Sequence, residues 1–141
     1  MTYIERLTEL HACGEAVEFC RGHRSLQSAW DACERGDWML WLLGRLSGPP
    51  ESASRRKLVL AACQCARLAL RYVRAGDMRP LAAIETAERW ARGEDGVALE
   101  TVRNATAAAY AAAAARGRVL QQCAEIVREA YPRAPRLRGT K

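Results

Sequence analysis

The chain is poor in the residues that most chemistry uses. It has two histidines, one phenylalanine and two lysines among 141 residues. It contains no G-x-S-x-G, no H-E-x-x-H and no glycine run ending in a P-loop lysine, which removes the commonest hydrolase, zinc-protease and nucleotide-hydrolase readings. Long Val/Ile/Thr runs, the usual material of strands, are also missing. No apolar run approaches the roughly 20 residues of a membrane span. The longest candidate, 105–115, is eleven residues long, and nine of them are alanine. The opening MTYIERLTEL is charged within its first turn and lacks the apolar core of a secretory signal. The expectation is a cytoplasmic protein with no membrane partner.

What remains is helix-forming. Half the residues are apolar, and Ala, Leu, Glu and Arg abound, a composition that favours helix almost everywhere. The length suits one domain with a single real core. The predicted fold is all-α: a compact single-domain bundle of about seven helices over 1–131, followed by a basic flexible tail, 132–141.

Local signals place the helices. Thr2 with Glu5 three residues on reads as a capping box, so a helix runs from about Tyr3 to Cys13. A second covers Glu15–Arg21 and stops at Gly22. Ser25 caps Leu26–Arg35, Gly36 stops it, and Asp37 caps Trp38–Leu46, a helix expected to be buried nearly all round. Ser47-Gly-Pro-Pro-Glu-Ser is a loop. Ser52 or Ser54 caps a long helix to about Ala75, whose inner stripe is Leu58, Ala62, Cys65, Ala69 and Tyr72. Pro80 opens Pro80–Arg92, and Gly93 closes it. An alanine-rich helix is expected from Val97 to about Ala115, and a last one over Val119–Tyr131. The helices 38–46 and 55–75 are expected at the centre.

Charge is unevenly spread. The net value is +6, yet residues 1–51 sum to −3, 52–79 to +6, 80–132 to −1 and 133–141 to +4. A local basic patch suits anionic partners such as nucleotide, nucleic acid or an acidic protein surface. It can equally be a solvated face in a chain with 20 arginines.

Six cysteines without a secretory signal point to reduced, mostly buried thiols. His11, Cys13, Cys20 and His23 follow H-x-C-x6-C-x2-H, but that spacing matches no common zinc module. Cys63 and Cys65, two apart on a helix, should point in different directions. No metal and no cofactor are expected, and carboxylate pairs such as Glu85 and Glu88 read as solvated or arginine-paired. The chain is therefore not expected to be an enzyme.

One combination does carry possible chemistry. Trp30, Trp38 and Trp41 lie within twelve residues, Trp90 further on, and Arg67, Arg71 and Arg74 fall at i, i+4, i+7 on one predicted helix face. Together they could stack a base and grip phosphate. The competing reading makes the tryptophans core and pairs the arginines with Asp31, Glu34 or Glu88.

Three segments, AWDACERGDWMLWLLGRL, RRKLVLAACQCARLAL and DMRPLAAIETAERWARGE, resemble the motifs of the putative immunity protein family, small all-α proteins rich in Trp and Ala from bacterial and phage genomes. The resemblance covers roughly residues 13–117. The positions that match are Trp30, Cys33, Arg35, Asp37, Trp38, Trp41, Arg79, Pro80, Glu85, Trp90 and Glu94, and they add Arg35 and Arg79 to the candidate ligand-binding residues. The resemblance implies a non-enzymatic immunity or phage anti-defence protein, antitoxin-like, that neutralises a toxin or defence protein by stoichiometric binding. It carries over no catalytic residue. The alternative is a nucleotide- or nucleic-acid-binding, sequestering protein that uses the Arg/Trp set.

Overall fold

Seven α-helices and one short 3-10 turn make up the regular structure of the described residues, which are 1–94, 96 and 117–140 of a computed structural model. They are α1 (Tyr3–Glu9), α2 (Gly14–Arg21), α3 (Leu26–Ala32), α4 (Gly36–Leu46), α5 (Ala53–Ala69), α6 (Arg79–Ala91) and α7 (Gly117–Ala130), with the 3-10 turn at Leu70–Tyr72. No strand occurs among these residues, and the fold is all-α. No helix among them is long and apolar enough to cross a membrane. The alanine-rich helix expected over 97–115 lies outside the described residues.

α5 is the axis of the bundle, packing against α4, α6 and α7, while α4 also lies along α7. Its sequence explains that position. Leu58, Ala61, Ala62, Cys65 and Ala69 face a core shared with Met39, Leu40, Leu42 and Leu43 of α4 and Val119, Cys123, Ala124 and Val127 of α7. On another side, Val59, Cys63 and Ala66 meet Ile84, Ala87, Trp90 and Ala91 of α6 in a second cluster. Small Ala and Cys side chains let three neighbours approach one helix closely. Cys63 and Cys65 thus serve different cores, as their spacing predicts.

The helix ends show which local signals acted. Thr2 and Glu5 form the capping box, and Ser25 and Ser52 accept from Ser28 N and Arg55 N. α6 ends in a Schellman arrangement: Gly93 sits at φ +83, its N–H donates to Trp90 O, and Glu94 N donates to Arg89 O. Four expectations need correction. α1 stops at Glu9 rather than Cys13, because His11 takes a left-handed φ of 67. Gly36 begins α4 instead of ending α3, since its bare Cα lies against the α7 backbone. Asp37 consequently falls inside the first turn of α4 and binds Arg35 instead of capping. α5 ends at Ala69 and tightens into the 3-10 turn, after which Val73 is extended. Tyr72 is therefore exposed rather than part of the inner stripe.

The C-terminal segment, expected to be flexible, runs back over α3. Gln27 clamps it from both sides, its Nε2 donating to Pro132 O at 3.2 Å and its Oε1 accepting from Ala134 N at 2.8 Å. Leu137, 6% exposed, joins the main core.

Candidate binding site

α3 and α4 meet at a sharp corner, and this corner sets the tryptophans. Cys33, at the end of α3, is extended with ψ 130, so the chain turns instead of continuing the helix. Arg128 of α7 secures the turn by donating to the carbonyls of Trp30 and Cys33, where a cation also favours the negative end of the α3 dipole. Trp30 Nε1 donates to Tyr131 O at 2.9 Å. Tyr3 OH shares its one proton between the carbonyls of Cys20 and His23 and ties α1 to the end of α2.

Trp30, Cys33 and Cys20, anchored in this way, line a cavity of about 920 Å3. Its walls are mainly apolar: Leu7, Phe19, Leu26, Ala29, Trp30, Trp38, Met39, Trp41 and Leu42, with Cys13, Cys20 and Cys33. Its charged lining is Glu15, Arg35 and Asp37, with His11 beside them. Arg35 Nε and Nη2 donate to Asp37 Oδ1 and Oδ2 at 2.9 and 2.8 Å, and the guanidinium lies 4.4 Å from the Trp38 ring. These hydrogen bonds to Asp37 raise the Arg35 pKa further. Phe19 tilts against both Trp38, at 6.0 Å, and His23, at 4.9 Å.

The tryptophans divide by role. Trp30 is core, and Trp90 is core in the second cluster under the guanidinium of Arg56, 4.7 Å from its ring. Trp38 is half-buried and Trp41 is 37% exposed, so α4 is not buried all round: its Trp38/Trp41 side opens to the cavity. Trp30, Trp38, Trp41 and Arg35 of the predicted set come together here. Arg67, Arg71, Arg74, Arg79 and Trp90 do not line this cavity. Arg67 donates to both carboxylate oxygens of Glu88, as the competing reading expected. Arg71 lies in the 3-10 turn, 5.9 Å from the Tyr72 ring, and Arg74 follows the break, so the three do not share one helix face. Arg79 binds Asp77 through two hydrogen bonds of 2.9 Å, which holds the Asp77 carboxyl down to about 2.

Sequence reasoning weighed His11 only as a zinc ligand and did not place Glu15 or Phe19 in the site. They come from α2 and the turn before it, and only the acidic balance of 1–51 hinted at them.

The thiols deep in the walls are poor nucleophiles. Burial pushes Cys20 up to about 11 and raises Cys33 as well, and a thiol needs its thiolate to react. Among the described residues no group of three or more His, Cys, Asp or Glu side chains is placed to hold a metal ion. His23 Nδ1 is 3.1 Å from Ser28 Oγ.

The Arg67–Glu88 pair gives a stability prediction. Glu88 is 7% exposed, and hydrogen bonds from Arg67 hold its carboxyl below the ordinary range. A lowered carboxyl contributes stability above its unfolded pKa of roughly 4.3 and loses it as pH falls through the folded value. Arg67→Ala should cost about 2 kcal/mol at neutral pH; Arg67 is 42% exposed, which keeps the value below that of a fully buried pair. Urea midpoints from pH 7 down to 3 should show the wild type losing this increment in acid and Glu88→Gln lacking that loss. Parallel pH curves for the two would contradict it.

A family model described as Imm-5 like putative immunity protein matches residues 48–134. The match takes in α5, α6 and α7 but stops short of the Trp30–Trp41 stretch, so the cavity walls contributed by α1–α4 lie outside it. No curated protein and no solved structure matches the chain.

Proposed function

Because the chain belongs to the Imm-5 like putative immunity protein family, we propose that it neutralises a toxin by stoichiometric, non-enzymatic binding, with the Trp38/Trp41 cavity as its contact site. The family match supports a protein partner. The observation that carries the choice of surface is the cavity itself: about 920 Å3, mainly apolar, walled by aromatic rings, with Trp41 reaching solvent. Partly exposed tryptophan beside a preformed apolar hollow is the type of surface on which binding energy concentrates. The scaffold is preorganised, since Arg128, Tyr131 and Tyr3 hold the walls by hydrogen bonds from elsewhere in the chain, and a rigid surface loses less entropy on association. Working without bond-making also suits walls whose buried thiols are held protonated.

The test is protection. Cells expressing candidate toxins of the same genome are scored for growth with and without the chain. Trp41→Ala is expected to weaken toxin binding by about 2 kcal/mol, roughly 30-fold, and to reduce protection while lowering stability only slightly. Full protection and unchanged affinity in Trp41→Ala would remove the cavity from the contact surface.

A further inference from the structure

The lining of the cavity holds an unbalanced charge. Two carboxylates, Glu15 and Asp37, line it against one guanidinium, Arg35. Arg35 is committed to Asp37 through two short hydrogen bonds and lies over Trp38. Glu15, exposed in the first turn of α2, makes no direct salt bridge among the described residues, although its charge acts on Arg35 from a distance. Arg45, 6.0 Å from the Trp41 ring, is not a lining residue. Among the described lining residues an anion thus meets only a guanidinium already bound to a carboxylate, whereas a cation meets the Glu15 carboxylate beside aromatic faces.

From this we propose that the cavity is a receptor for a basic side chain of the protein partner, an arginine or lysine set among apolar residues. The inference rests on the contact reading above and names the partner's chemistry. The aliphatic stem packs along Phe19 and Trp41, and the charged head pairs with Glu15 while facing a tryptophan ring. Regional charge agrees: residues 1–51, which supply every lining residue, sum to −3 in a chain of +6. The cavity lining carries two carboxylates against one guanidinium although the protein is basic, a balance that favours a basic group over an acidic one. A phosphate-bearing ligand is the wrong sign for this lining.

The experiment titrates the intact protein with three capped peptides, acetyl-Leu-Arg-Leu-amide and its Gln and Glu counterparts, and follows tryptophan fluorescence. The pH is set to 8, above the ordinary imidazole range. The arginine peptide should bind about tenfold more tightly than the glutamine peptide, and the glutamate peptide more weakly still. Glu15→Gln should erase the preference for arginine. Equal affinity for the Arg and Gln peptides overturns the inference, as does a preference that survives Glu15→Gln, or no saturation by the arginine peptide. Protection by Trp41→Ala tests the contact reading separately, so the two can fail independently.

Discussion

Trp30→Ala is expected to lower the free energy of unfolding by about 4 kcal/mol, the range for a buried indole cut back to a methyl. Trp30 is 3% exposed and sits where α3, α4 and the C-terminal segment converge. Three losses add together. The apolar area of the ring is exchanged for a void, and its neighbours, held by α5 and α7, cannot collapse fully into it. The Nε1 bond to Tyr131 O disappears and leaves that carbonyl without its donor. The C-terminal segment loses one of the groups that tether it beside Gln27. Urea denaturation with an unchanged m-value is the measurement. Trp30→Phe should retain most of the packing and lose about 1 kcal/mol for the hydrogen bond, plus the volume difference. A loss below about 1 kcal/mol in Trp30→Ala would mean that this corner is not packed as described.

Gly36→Ala is expected to cost about 3 kcal/mol, at the upper end for overpacking. A Cβ on Gly36 would sit 2.7 Å from Ala124 N and from Cys123 C, with Cys123 Cβ closer still. Two of those atoms are backbone, so no rotamer change relieves the overlap, and α4 must move away from α7 along the most closely packed line of the bundle. The change would also tilt the Trp38/Trp41 wall, which α4 carries. Gly44 on the same helix is the control. Its added Cβ meets nothing nearer than 3.8 Å, so Gly44→Ala should stabilise by up to about 1 kcal/mol through helix propensity. Opposite signs at the two glycines, read by the same denaturation, would establish the close crossing. A neutral Gly36→Ala would contradict it.

Gly36 also shows where the sequence could and could not be read. A glycine after a helical run is usually a stop, and the sequence places it there. The actual reason is a helix on α7, some 87 positions away in sequence, whose backbone leaves no room for a side chain. Local rules cannot hold that information. Where the cause was local, reading succeeded: Thr2/Glu5, Ser25, Ser52 and Gly93 act within a few residues of where they stand. The α5 stripe was readable through Ala69 because apolar periodicity is also local. The tightening at Leu70 was not, and with it went the alignment of Arg67, Arg71 and Arg74.

The candidate site was half legible. Clustered tryptophans marked the region, but helical spacing could not separate Trp30, sealed in the core, from Trp41, open to solvent. Glu15 and Phe19 were invisible as site residues, because only folding brings α2 opposite α4. Arg67 could be read either as a grip for phosphate or as a partner of Asp31, Glu34 or Glu88, and it is held by Glu88, 21 positions on. Leu137 was unremarkable in a basic tail, yet it is buried in the main core and gives that tail its place.

Titration of the toxin's activity with the purified chain tests most directly whether contact alone does the work. Added to a fixed amount of toxin well above the dissociation constant, the chain should abolish activity with a sharp end point at a fixed whole-number ratio. Toxin recovered after dissociation should be fully active and unchanged in mass. Continued loss of activity at substoichiometric amounts, or a covalent change in the recovered toxin, would contradict the account.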